Sequence, residues 1–277
     1  MKLRKVEPIA EGYNRKLARN PIPPPPKIAW LRLDELVIDE SYQRDLSFRG
    51  RALIRRLVEN WDWNCFKPLS VARCEGGGYE IIDGQHTAIA AATHGAIETL
   101  PCLVLDAATL AQRSKAFIGI NRDRVALTPF ALFRARLAAE DPEALAVDMA
   151  LTSVGATLIE SVNNNGDSDG RQGLVACVGT LLQIVRHAGA PRLKRILNVC
   201  IAAGISPIPS TIIKGLDEIM AAKACPDETR LVEAIVQLGG EDLVAKARHA
   251  VHVGRAVSGA EAVASLVLER AGRAEAA

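Results

Sequence analysis

The chain has 277 residues, 49% of them apolar but only 4% aromatic, and a formal net charge of +2. That length supports a sizeable core and two domains, while no apolar run approaches the roughly 18 residues of a membrane span. The charged start Met1-Lys2-Leu3-Arg4-Lys5 leads into no apolar segment of a secretory signal, and six cysteines without a Cys-x-x-Cys pair read as buried thiols of a reducing, cytoplasmic compartment rather than zinc ligands or disulfides.

The small net charge hides an asymmetry. Residues 1–27 carry seven Lys/Arg against Glu7 and Glu11, a net +5, which leaves the remainder at −3. Attraction to nucleic acid is therefore local, not a property of the whole body. Residues 1–20 show no periodicity and read as a solvated leader. Pro21-Ile22-Pro23-Pro24-Pro25-Pro26 follows as a stiff polyproline spacer between arm and fold.

From there the first strand is expected over 30–38, with a short turn at Asp34-Glu35, then a loop at Ser41-Tyr42-Gln43-Arg44. A helix is expected over 47–60, with Leu53, Ile54, Leu57, Val58 and Trp61 as its apolar stripe. Arg49, Arg51, Arg55 and Arg56 fall on its polar side, as a solvated face or as a phosphate-facing patch, with Arg44 the best single candidate for phosphate contact. Trp61, Trp63 and Phe66 read as packing around the helix-to-strand turn, with a base-stacking platform as the alternative.

Pro68 to Arg73 reads as a second strand, Gly76 to Gly78 as a hairpin turn, and Tyr79 to Asp83 as a third strand. Gly84 then allows a tight turn, Ala88 to Ala92 favour a helix, and Gly95 stands where a helix end favours glycine. A helix opening near Gln85 aims its backbone N–H groups and positive dipole end at whatever lies above the turn, a natural seat for phosphate. A fourth strand is expected over 99–106 and a helix over 107–119.

Ile120-Asn121-Arg122-Asp123-Arg124 leads to Thr128-Pro129, an N-cap and first-turn pair that opens a helix to Glu140. Beyond it no strand is expected. Helices are placed over 142–151, 171–188, 190–203, 209–223, 227–238, 240–255 and 258–272. The loop 163–170 holds Asp167 and Asp169 but lacks the spacing, glycine and distal glutamate of a calcium loop. His249 and His252 share a helical face without a third ligand and read as surface residues.

The order of elements, with Tyr42-Gln43-Arg44, Asp83-Gly84-Gln85-His86 and Asn121-x-x-Arg124 before Leu127-Thr128-Pro129, resembles the ParB/sulfiredoxin superfamily. More narrowly it is similar to the ParB-like proteins of phages and mobile elements marked by Asp-Gly-Gln-His-Arg. The resemblance spans about residues 28–140 by motif. It implies an α+β fold: a small ParB/sulfiredoxin-like mixed-sheet domain over 28–128, behind a basic, proline-rich flexible arm at 1–27, followed by an all-α domain over 129–277.

In such relatives the glycine-led loop and the Asn-x-x-Arg hold a nucleoside triphosphate and its metal. Carried over by position, Gly84, Gln85, His86 and Thr87 line the phosphates while Asn121 and Arg124 close over them. Arg124 suits phosphate oxygens as a bidentate donor. The implied ligand is CTP or ATP with Mg2+, and no protein metal site is assigned. Asp83 is a candidate base or magnesium contact, or else a helix cap. His86 is a candidate general acid or phosphate donor, or else a structural hydrogen-bonder. The partition-type proteins have Glu-Arg-Arg where this chain has Gln85-His86-Thr87, and Glu where it has Ile120. Sulfiredoxin has its cysteine at Gln85. These differences imply a site of reduced positive charge in which binding outranks chemistry.

Three functions compete on this basis. The first is a nucleotide- or phosphate-binding, DNA-associated accessory protein of phage or plasmid type. The second is a metal-dependent nuclease or ATP-using phosphotransferase at the same residues. The third is a degenerate ParB-like module acting in assembly. DNA, nucleotide and a second copy of the chain stand as partners to test; a membrane does not.

Overall fold

In the computed structural model the chain divides into two compact units, Met1–Val125 and Ala126–Ala277. The structure describes residues 6, 22, 24–39, 46–123, 126–161, 172–222 and 225–273. Most of the basic arm, the candidates Arg44 and Arg124, and the loop 163–170 lie outside the described residues.

The first unit is built on a five-stranded mixed sheet. Its strands are β1 (Lys27–Arg32), β2 (Leu36–Val37), β3 (Leu69–Arg73), β4 (Tyr79–Asp83) and β5 (Thr99–Leu105), in spatial order β1-β5-β3-β4-β2. β1 runs antiparallel to β5, and β3 antiparallel to β4, whereas β3 with β5 and β2 with β4 are parallel. Three helices accompany it: α1 (Phe48–Glu59), α2 (Gln85–His94) and α3 (Leu110–Arg122). The alternation of apolar residues explains the two layers. Leu31, Leu69, Val71, Ile81, Leu100 and Cys102 pack with Ala88 and Ala91 of α2. Ala72, Ile82 and Ala107 pack with Ala116, Phe117 and Ile120 of α3. Trp61, Trp63 and Phe66 cluster with ring centroids 5.1 to 5.9 Å apart, and Trp30 joins through Trp63 at 6.1 Å.

Two boundaries differ from expectation. β1 begins at Lys27, because its first residues ladder with β5 from Lys27↔Val104 onward. α3 begins at Leu110, not at Ala107, because Thr109 and Gln112 form a reciprocal capping box. It then runs through Arg122, so Asn121 sits in a helical turn rather than a loop.

The second unit holds α4 (Pro129–Ala138), α5 (Pro142–Ser153), α6 (Val178–Ala202), α7 (Ser210–Ala221), α8 (Glu228–Leu238), α9 (Gly240–His252) and α10 (Gly259–Arg273) around one apolar core. The strand-free expectation needs amending. β6 (Thr157–Leu158) and β7 (Leu174–Val175) form a parallel two-residue pair, which delays α6 to Val178. α6 itself spans the two helices expected over 171–188 and 190–203, with Gly189 non-helical at φ 80° and Pro191 just beyond. α7 and α10 approach so closely that a side chain at Gly215 would stand 2.6 Å from Val263 Cγ1. The overall class is nonetheless the α+β arrangement expected, a mixed sheet with helices and then a helical part.

One surface network gives this unit a pH dependence. Glu143, at the start of α5, accepts from Arg186 Nε and Nη2 at 2.8 Å each and from Arg136 Nη2 at 2.8 Å. Hydrogen bonds from Arg186 and then Arg136 lower its pKa from 4.5 to about 2. A folded pKa below the unfolded one adds stability that is present above the unfolded value and disappears as pH falls through the folded value. Thermal melts of wild type and Glu143→Gln should therefore differ near pH 7 and converge as pH drops from 4.5 toward 2. A gap that stays constant over that window would remove the assignment.

Candidate functional site

The turn between β4 and α2 needs glycine for two reasons. Gly84 adopts φ 102° and ψ 16°, in the left-handed region that side chains resist. A Cβ there would also meet Leu69 Cγ at 2.9 Å and Leu69 Cα at 3.5 Å. Gly84, not Asp83, occupies the N-cap position of α2, and it brings no side-chain acceptor. The N–H groups of Gln85, His86 and Thr87 have no acceptor earlier in the helix, and the helix dipole adds partial positive charge at this end.

A cleft of about 390 Å3 opens at this turn, a volume suited to a small-molecule ligand. Ile82, Asp83, Gly84, Gln85, His86 and Thr87 line it from β4 and α2. Lys67 and Pro68 enter from just before β3, Leu53 from α1, and Phe117 and Asn121 from α3. The structure thus brings Asp83, Gly84, Gln85, His86, Thr87 and Asn121 to one cavity although α3 is remote from the turn in sequence.

The polar groups are held in distinct ways. Asp83 Oδ2 lies 3.3 Å from Lys67 Nζ, with the lysine side chain 66% exposed and the aspartate 18%. The His86 ring lies against α1, where a Cβ on buried Gly50 would come within 2.7 Å of Nε2; Gly50 is what lets the two helices approach around it. Asn121 Nδ2 donates to Phe117 O at 2.8 Å, which directs the amide's remaining acceptor elsewhere.

α3 is fixed by a buried charge pair. Arg113 Nε approaches Glu80 Oε2 at 2.7 Å, off the hydrogen-bond line, with side-chain exposures of 15% and 4%. Arg113 Nη1 also donates to Ala108 O at 2.7 Å. Arg113, Phe117 and Asn121 recur at i, i+4 and i+8, one face of the helix. Pinning Arg113 to β4 therefore orients the two residues that reach the cleft.

Arg49, Arg51, Arg55 and Arg56 are exposed on α1 and are not among the cleft's lining residues. His249 and His252 are exposed on α9. Sequence reasoning missed Lys67. The signal was the hairpin itself: with β3 and β4 antiparallel and Ser70 opposite Asp83, the residues just before β3 must lie beside the end of β4. Among the described residues no group of three or more His, Cys, Asp or Glu could hold a metal ion. Among the described residues no helix is long and apolar enough to cross a membrane.

The model of a family of unknown function, DUF6551, matches residues 37–247. Among curated proteins there is no match. Solved structures similar to the chain include the C-terminally truncated chromosome-partitioning protein ParB from Caulobacter crescentus complexed with CTP-γ-S. It is 12% identical, with 87% of this chain and 99% of that one covered and a TM-score of 0.35. The same protein complexed to the centromeric parS site is 16% identical, with 76% and 91% covered and a TM-score of 0.28. A Pnob8-like ParB-N domain is 13% identical, with 80% and 84% covered and a TM-score of 0.28. At these scores the likeness decides nothing about this chain.

Proposed function

The chain belongs to DUF6551, a family of unknown function, and we propose that its first unit is a ParB-like phosphate- or nucleotide-binding module of a DNA-associated protein, one that binds its ligand rather than converting it. The observation that carries this reading is the cleft lined by Gly84 to Thr87, Lys67 and Asn121. A glycine-led helix start offers backbone donors to phosphate oxygens, Lys67 offers a charge, and the apolar Leu53, Ile82 and Phe117 offer a wall for a base or sugar. Nucleoside triphosphates are the ligand class, with CTP and ATP the first to test, and magnesium would accompany the phosphates. DNA association is the reading of the basic arm and of the motif order, with the phage or plasmid setting and a second copy of the chain as its finer parts.

Binding is favoured over catalysis by how the two candidate catalytic groups are held. The Asp83 carboxylate faces Lys67, and the His86 ring is packed on α1 at Gly50. Calorimetric titration of the full chain with CTP, ATP and GTP in magnesium should give binding to at least one of them. Asn121→Ala should weaken it about tenfold, as expected for loss of one hydrogen bond to a charged group. Absence of binding to all three removes the proposal. Nucleotide hydrolysis abolished in both Asp83→Ala and His86→Ala would replace it with the enzymatic reading.

A further inference from the structure

Among the described residues lining the cleft, Lys67 is the one lysine or arginine. The backbone donors of α2 bring partial charges, so a highly charged ligand needs a cation, and among the described residues lining the cleft Lys67 supplies it. Its Nζ lies 3.3 Å from Asp83 Oδ2, and its side chain is 66% exposed. A contact this long on so exposed a lysine is weakly held. Its stem starts beside Pro68, whose ring fixes the backbone, while four rotatable carbons leave the ammonium free to move. Asp83 is the less exposed partner, at 18%, and it stands directly before Gly84, beside the backbone donors.

From this arrangement we propose that the Lys67–Asp83 pair is the ligand-free half of a charge exchange: Lys67 passes from Asp83 to the ligand's phosphate, and Asp83 acts as an internal competitor for the same cation. The proposal rests on the phosphate-site reading and narrows its ligand class. A carboxylate carries one negative charge, and so does a phosphodiester, so a diester gains little by drawing Lys67 away. A terminal phosphate carries close to two and wins the exchange. The cleft therefore selects ligands ending in a free phosphate, such as nucleoside triphosphates or inorganic polyphosphate, over diesters such as a nucleic-acid backbone. Asp83 then opposes binding, the reverse of what a metal-holding aspartate would do.

The test is calorimetry on the full chain in EDTA, which removes any metal bridge through Asp83. The probes are inorganic triphosphate, CTP, ATP and, as a diester, 3′,5′-cyclic CMP. The triphosphates should bind wild type about tenfold more tightly than the cyclic diester. Lys67→Ala should weaken triphosphate binding about tenfold and Lys67→Arg should largely restore it, on the scale of one charged hydrogen bond. Asp83→Asn should tighten binding. Circular dichroism is expected to show the Lys67 variants folded, since Lys67 is mostly exposed, and the same spectrum is required of Asp83→Asn before its binding is compared. Triphosphate binding unaffected by Lys67→Ala, weaker binding in Asp83→Asn, or a cyclic diester bound as tightly as triphosphate would each overturn the exchange while leaving a phosphate site in place. Wild type that binds none of the probes in EDTA overturns the exchange, and wild type that binds none of them with magnesium restored overturns the phosphate-site reading as well.

Discussion

Replacing Arg113 with alanine should lower the stability of the first unit by about 3 kcal/mol, the scale for removing one partner of a buried ion pair. Glu80 is 4% exposed and Arg113 15%, so the carboxylate would stay in a low-dielectric site having lost the Arg113 cation. The measurement has a convenient reporter. Trp30, Trp61 and Trp63 are the chain's three tryptophans, and all lie in the first unit, so fluorescence during urea unfolding follows that unit selectively. The decisive comparison is the double replacement Glu80→Leu with Arg113→Leu, since an apolar pair of similar volume often matches or exceeds a buried ion pair. Recovery of most of the lost stability in the double variant is expected. If the double variant is as unstable as Arg113→Ala, the loss lies in packing and not in a stranded charge. Ligand binding should fall in Arg113→Ala beyond what stability explains, because Phe117 and Asn121 share a helix face with Arg113 and would lose their orientation.

Much of this architecture was legible in the residues, and the exceptions have physical causes. The strands β3, β4 and β5 announce themselves by β-branched and apolar runs, with a glycine turn at 76–78 between the first two, and α2 by Gly84 and Gly95 at its ends. Local chemistry of that kind is written within a few neighbouring residues. The start of α3 was misplaced because Ala107 and Ala108 are good helix formers, while the Thr109–Gln112 box that sets the boundary outweighs propensity. β6 and β7 are two residues each, too short for any periodicity to register. Among the site residues, the glycine-led turn and Asn121 carried recognisable motifs. Lys67 and the Glu80–Arg113 pair did not, because each depends on a partner brought close by sheet register or helix packing. A lone lysine before proline, or a glutamate within a strand, has no local signature of its role.

Gly84→Ala is the second large effect, and it separates two contributions that usually arrive together. A non-glycine residue held in left-handed backbone costs about 1–3 kcal/mol. At Gly84 there is also the close approach to Leu69, whose Cγ would lie 2.9 Å from the new Cβ. Leu69 is fully buried and sits in β3 between β4 and β5, so the contact cannot be relieved by a simple side-chain swing, and overpacking of this kind adds about 1–3 kcal/mol more. Gly95 at the other end of the same helix supplies the control. It has φ 77°, in the left-handed region like Gly84, but nothing lies within 4 Å of a Cβ built there. Gly95→Ala should therefore cost about 1 kcal/mol, the backbone part alone, while Gly84→Ala should cost about 3 kcal/mol, both read by tryptophan fluorescence during urea unfolding. Equal losses at the two ends would show that the Leu69 contact relaxes freely. A larger loss at Gly84, accompanied by weaker triphosphate binding at temperatures where the variant remains folded, would tie the glycine to both demands at once: the turn that lets β4 enter α2, and the close seating of that helix start on β3 that sets its N–H groups at the cleft.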